Sequence, residues 1–207
     1  MLLTLANAVA TAISWALTPA LCAWLAWRAA RGKEDKTRLS ERFGHASLSR
    51  PEGRVVWLHA ASVGEIQSCL ALLEQLHHAR PGLSFLVTTG TVTSAERLAQ
   101  YNLPYVIHQY VPLDTATGVR RFLDHWRPDL ALWVESELWP HLLWYTHQRA
   151  VPILLLNARM SATSAARWQR FPGIIRSLLR CFSTIYAGSP LDAQRLTALG
   201  ATRVEDV

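Results

Sequence analysis

Arg54–Glu65 reads RVVWLHAASVGE: a short run of β-branched and aromatic residues, then a turn of small side chains, then an acid that opens a new pattern. Such side chains suit a pleated, half-buried surface, whereas Ile66, Leu70, Leu73 and Leu76 then recur at the spacing of one helix face. Strand Arg54–Ala60 followed by helix Gly64–Ala79, stopped by Pro81-Gly82, is one βα unit. The same order repeats along the chain. Strands are expected at Leu83–Thr89, Tyr105–Tyr110, Leu130–Val134, Val151–Leu156 and Thr184–Ala187. Helices are expected at Val92–Gln100, Asp114–Trp126, Leu138–Gln148, Ala165–Phe182 and Pro190–Leu199, with Asp114 as an N-cap and a break at Pro172-Gly173. Regular βα alternation implies an α/β fold, an open, mostly parallel Rossmann-like sheet covered by helices on both faces.

Upstream of this domain the chemistry changes. All 21 Lys and Arg and all 15 Asp and Glu fall after residue 27. At roughly 1.5 Å per residue, a charge-free helix of this length spans a hydrocarbon core of about 30 Å. Residues 1–27 are therefore expected to form one membrane-anchoring helix, with Trp24 and Trp27 at its interfacial end. An interfacial helix is the alternative. A signal peptide fits poorly, because the basic residues follow the apolar run instead of preceding it. Arg28, Arg31, Lys33, Lys36, Arg38 and Arg42 make residues 28–53 a basic juxtamembrane linker and keep the body on the cytoplasmic side. The net charge of +6 suits an anionic leaflet. Nucleic acid is not expected as a partner, since no zinc-finger spacing, aromatic RNA-binding motif or base-reading basic helix is present. Cys22, Cys69 and Cys181 are far apart and read as apolar filler in a reducing compartment, and the scattered histidines show no metal-ligand spacing.

Ligands of open parallel sheets bind beyond the carboxyl ends of the strands, so the strand-to-helix junctions hold the candidate chemistry. His59–Glu65 joins small residues, Ser62 and Gly64 among them, to Glu65 in a first helical turn, where the helix dipole favours negative charge and a carboxylate can accept a proton. A purely stabilising first-turn acid is the plain alternative. Thr88-Thr89-Gly90-Thr91 offers hydroxyls and amides for an anion, or a simple capping cluster. Glu135 and Glu137 flank Ser136 at a third junction, and Arg159 follows Asn157-Ala158 at a fourth, able to grip a carboxylate or phosphate.

Taken together, HAASVGE (59–65), ESELWP (135–140), NARMS (157–161), Arg42-Phe43-Gly44 and Val111-Pro112-Leu113-Asp114 resemble the amino-terminal half of the Kdo transferases, in the expected order over nearly the whole chain. These are inner-membrane glycosyltransferases of bacteria with the two-domain GT-B fold. The resemblance implies transfer of 3-deoxy-D-manno-octulosonic acid (Kdo) from CMP-Kdo to the lipid A precursor lipid IVA, inverting and without a further cofactor. It implies Glu65 as general base, Glu135 as a second functional acid and Glu137 sharing that task. Ser62, Gly64, Thr88, Thr89, Thr91 and Arg159 are the candidate acceptor or anion contacts. It further implies a single-pass protein of the inner membrane whose domain, residues 54–207, faces the cytoplasm and binds the acceptor. Three departures stand out: His141 replaces a usual Asn, Val92 and Ser94 replace a usual Pro and Gly, and the family's second, donor-binding domain is absent from these 207 residues. The chain alone is accordingly expected to be inactive. Two rivals remain open: a membrane-anchored lipid-binding module without catalysis, and an α/β-hydrolase using Ser62 in its Ala60-x-Ser62-x-Gly64 turn.

Overall fold

The computed structural model describes residues 19–135 and 137–206. Seven strands, β1 (Arg54–His59), β2 (Leu83–Thr89), β3 (Val106–Tyr110), β4 (Leu130–Val134), β5 (Ile153–Ala158), β6 (Thr184–Ala187) and β7 (Val204–Asp206), form one sheet in the order β3-β2-β1-β4-β5-β6-β7. Every pairing is parallel. The expected Rossmann-like architecture is what the chain adopts.

Alternation along the strands builds two cores. On β1, Val55 and Trp57 face one side with Trp133, Phe122, Trp126 and Leu143, while Val56 and Leu58 face the other with Ile66, Leu73, Phe85 and Val87. Helices α2 (Val63–Ala79) and α3 (Val92–Ala99) cover the second side, and α4 (Ala116–Trp126), α5 (Pro140–Gln148), α7 (Pro172–Leu179) and α8 (Pro190–Ala198) cover the first. The short α6 (Ala162–Trp168) is set off from α7 by the expected break at Pro172. Side chains of period two on strands thus sort the helices between faces.

Several boundaries differ from the sequence reading for local reasons. Pro152 has no N–H to give, so β5 begins at Ile153 and runs on to Ala158, taking Asn157 out of the loop and into a strand end. Pro140 sits at the first turn of α5, so that helix begins there and not at Leu138. Asp114 does not cap its own helix. Thr115 does, accepting from Gly118 N–H, while Asp114 reaches across to accept from the N–H groups of His141 and Leu142 at the start of α5. The three-residue β7 gave no periodic signal.

The amino-terminal expectations meet the structure only in part. Residues 19–30 are helical (α1), and the remainder of the expected anchor lies outside the described residues. Among the described residues, no helix is long and apolar enough to cross a membrane. Leu25 and Ala29 are buried, whereas Trp24 and Trp27 are about half exposed, with the guanidinium groups of Arg28 and Arg31 stacked on their rings. The expected linker is folded onto the body: a 3-10 segment, Lys36–Phe43, packs on β3 and α4. Glu34, Glu41 and Arg42 are all buried there. Cys22 is exposed on α1 and Cys69 and Cys181 are buried; all three are free thiols.

Candidate active site

β1 and β4 are neighbours, yet α2 leaves β1 onto one face of the sheet and α5 leaves β4 onto the other. The chain therefore opens a crevice where the strand order reverses, beyond His59 and Val134. A cleft of about 430 Å³ occupies it. Ser62, Glu65, Thr91, Asp114, Glu137 and Trp139 line it, together with Trp24, Leu25, Arg28 and Arg42 from the amino-terminal segment.

Glu65 is held by a reciprocal cap. Ser62 Oγ accepts from the Glu65 N–H at 3.3 Å, and Glu65 Oε2 accepts from the Ala61 N–H at 2.8 Å. The Glu65 N–H, an orphan donor of the first helical turn, is satisfied this way, and the Ala61 N–H just before the cap fixes the side chain much as a capping box would. Only 9% of Glu65 is exposed, and that part faces the cleft. Ser62 is thus engaged as an N-cap, with no hydrogen bond to a histidine.

Glu137 faces the same cleft and is half-buried. Its Oε2 accepts from His59 Nε2 at 3.3 Å and from Trp139 Nε1 at 2.8 Å, and its backbone oxygen accepts from Trp133 Nε1. The bond from His59, aided by that from Trp139, holds its carboxyl below the usual carboxylate range in spite of partial burial. Glu137 therefore stands as a charge and hydrogen-bond acceptor at neutral pH.

The other sequence candidates divide. Thr91 lines the cleft as N-cap of α3, beside Gly90. Thr88 and Thr89 do not serve as anion contacts, because both are fully buried and turned inward. Thr88 Oγ1 bonds Trp57 Nε1 and His59 Nδ1, and Thr89 Oγ1 bonds His108 Nε2. Gly64 opens α2 with open space where a Cβ would stand, so no close approach requires glycine there. Glu135 and Arg159 do not line the cleft. Glu135 closes β4 in the left-handed region, φ 59°, next to Asn157 on β5 at φ 51°. Arg159 is exposed near Gly188, at the ends of β5 and β6.

What the sequence reading missed comes from the amino-terminal segment. Arg42 Nη2 donates to Gly90 O at 2.7 Å, Nη1 to Val111 O at 3.1 Å and Nε to Glu34 Oε2 at 2.9 Å, while Arg28 Nε donates to Glu34 Oε1 at 2.6 Å. One buried guanidinium thereby ties the α3 turn, the loop after β3 and α1 together as a cleft wall. Leu113 N–H donates to Arg42 O, and Gly44, at φ 81°, approaches so closely that a Cβ would lie 1.9 Å from Gly118 O. The signal was present in Arg42-Phe43-Gly44 and Val111–Asp114, which read as separate motifs and are in fact one joint.

Known proteins match this chain over most of its length. The family model of the 3-deoxy-D-manno-octulosonic-acid transferases (kdotransferase) matches residues 37–206. The chain is 36% identical over 192 residues to an Arabidopsis thaliana protein named "Probable 3-deoxy-D-manno-octulosonic acid transferase, mitochondrial", covering 92% of this chain and 43% of that one. Against 3-deoxy-D-manno-octulosonic acid transferases of Rickettsia bellii and Haemophilus influenzae it is 34% and 36% identical, covering 85% and 80% of this chain and 42% and 39% of those proteins. It thus spans less than half the length of these relatives. A solved structure named "putative UDP-N-acetylglucosamine 2-epimerase", from Listeria monocytogenes, superposes with a TM-score of 0.52 at 11% identity over 73% of this chain and 44% of that one, a likeness of fold alone. With the family model matching from the 3-10 segment to the last strand and relatives of this name 34–36% identical over most of its length, the chain belongs to the 3-deoxy-D-manno-octulosonic acid transferase family.

Proposed function

We propose that this chain forms the acceptor side of a glycosyltransferase that moves Kdo from CMP-Kdo to the lipid A precursor lipid IVA, with inversion at the anomeric carbon. Glu65 takes the proton of the acceptor hydroxyl as that oxygen bonds the anomeric carbon. The bond from that carbon to the phosphate oxygen breaks, and CMP leaves with the electron pair. The observation that carries this reading is the Glu65 carboxylate, fixed by the Ala61 N–H at 2.8 Å on the wall of the crevice, where a reacting hydroxyl could meet it. Glu137, anionic and lining the same cleft, would accept a second acceptor hydroxyl and orient it. Arg28, partly exposed at the cleft, gives an anionic group of the acceptor a partner. Trp24 and Trp27 with their stacked arginines favour a body seated at an anionic, cytoplasm-facing membrane surface, where a lipid acceptor would be presented.

Donor binding falls mainly to the part of the relatives that this chain does not match. Transfer is therefore expected when the chain is supplied with that carboxyl-terminal half, and not from the chain alone. Incubation with CMP-Kdo and lipid IVA, read by the mass of the lipid product, tests both statements. Turnover by the chain alone would refute the second. Ser62→Ala removes the α2 cap but leaves the Ala61 N–H bond to Glu65, so it should lower turnover far less than Glu65→Gln; the reverse order would favour the hydrolase. Acceptor binding with no turnover in either arrangement would favour the non-catalytic module.

A further inference from the structure

His59 ends β1 with no exposed surface, and neither of its ring nitrogens is idle. Nδ1 lies 3.0 Å from Thr88 Oγ1, and Nε2 lies 3.3 Å from Glu137 Oε2. For a neutral imidazole, donor and acceptor arithmetic gives the direction of each bond. An indole N–H can only donate, so Thr88 Oγ1 accepts from Trp57 Nε1 at 2.9 Å. An ionised carboxylate can only accept, and Glu137 already accepts from Trp139 Nε1, so the shared proton of the His59–Glu137 contact sits on Nε2. A neutral imidazole then presents Nδ1 as an acceptor, which the Thr88 hydroxyl hydrogen fills. The chain Trp57 to Thr88 to His59 to Glu137 is complete, with no donor left over. Trp133, its ring centroid 4.5 Å from that of His59, packs the imidazole in place.

We propose that His59 is a positioning residue of the cleft: Trp57 and Thr88 lock its imidazole with the proton on Nε2, and that N–H holds the Glu137 carboxylate at the cleft wall. His59 cannot touch a substrate, being wholly enclosed, so it acts only through Glu137. The catalytic consequence rests on the transferase reading, whereas the lock does not. A buried hydrogen-bonded chain of this kind specifies one arrangement because every alternative strands a buried donor or acceptor.

The test uses the 207-residue chain labelled with ¹⁵N in histidine and ¹³C in the glutamate carboxyl. In the native chain the neutral His59 ring should carry its proton on Nε2 and leave Nδ1 bare in the ring spectrum, and the Glu137 carboxyl should titrate below the ordinary range. The other charged groups of the cleft, Glu34, Glu65, Asp114, Arg28 and Arg42, are unchanged in every variant. His59→Gln keeps an N–H toward Glu137 and should keep the low titration. His59→Leu should move it up, and Thr88→Val should move it up and mix the two tautomers, while Thr88→Ser restores both. A folded His59→Leu or Thr88→Val chain with an unmoved Glu137 titration, or a native ring carrying its proton on Nδ1, would overturn the proposal. In the two-half transfer assay, Thr88→Val should lower kcat by about 10- to 100-fold with the acceptor KM little changed. An unaltered kcat alongside a moved titration would overturn the catalytic consequence. Absence of transfer by the native halves would instead count against the transferase reading, and the lock would still stand or fall on the ring spectrum and the Glu137 titration.

Discussion

Glu65, the proposed base, is anchored at one carboxylate oxygen. Among the described residues, one carboxylate oxygen satisfies the Ala61 amide, and the rest of the side chain faces the cleft. Ser62 and Glu65 were readable as an S-x-x-E pattern before an apolar helix face, because capping is local in sequence. Thr88 was not. Its hydroxyl could point to a ligand or to a neighbour, and the neighbour is His59, its register partner on β1, which no local pattern reveals. His108, beside Thr89, carries the clearest pH signature. Burial, and then the nearby charges of Arg38 and Arg42, push its imidazole down to about 3 from the usual 6.5. Between these values the unfolded chain binds the proton and the folded chain does not, so stability rises with pH across that window and is lost as pH falls from about 6.5 toward 3. The slope from this residue approaches about 1.4 kcal/mol per pH unit within the window. Urea unfolding at pH 7 and pH 4.5 should show that loss, and a folded His108→Gln variant should show less of it. Equal losses in both would contradict the assignment.

The 3-10 segment is the element whose meaning changed most. Read from sequence, residues 28–53 were a basic tether, because charge runs usually lie on solvated surfaces. Glu34 and Arg42 are instead an enclosed ion pair, and Arg28 shares the carboxylate. The reversal has a local cause: acids at 34 and 41 interleave with the bases at 28, 38 and 42, and each guanidinium also finds backbone oxygens. Removing one partner of a buried pair leaves the other charge uncompensated, so Glu34→Gln should cost about 3 kcal/mol in chemical denaturation. A change under about 0.5 kcal/mol would mean that Arg42 is held by the backbone oxygens alone. Gly44→Ala should cost about 2–4 kcal/mol, because a left-handed φ and a backbone clash with Gly118 coincide. A neutral outcome would show that the segment can lift off α4. Both substitutions should also loosen the cleft, since Arg42 forms part of its wall.

On the scale of the molecule, the order β3-β2-β1-β4-β5-β6-β7 puts the crevice between β1 and β4, where the strand order reverses. The alternation of strands and helices was legible because parallel sheets demand crossovers and each crossover leaves a helical period. The order of the strands was not, so the sequence could name Glu65 as base, Glu135 and Glu137 as acids and Arg159 and the threonine turn as anion contacts, but not say which of them share one cleft. The fold separates them. Ser62, Glu65, Thr91 and Glu137 share the switch-point cleft; Glu135 and Arg159 stand outside it, Arg159 by the ends of β5 and β6. The central claim is that Glu65 removes the acceptor proton, and it is tested most directly by steady-state transfer with Glu65→Gln in the chain paired with its carboxyl-terminal half. Loss of the base should lower kcat by about 10²- to 10⁴-fold with the acceptor KM within a few-fold of native. A Glu65→Gln protein that transfers Kdo at the native kcat would contradict it.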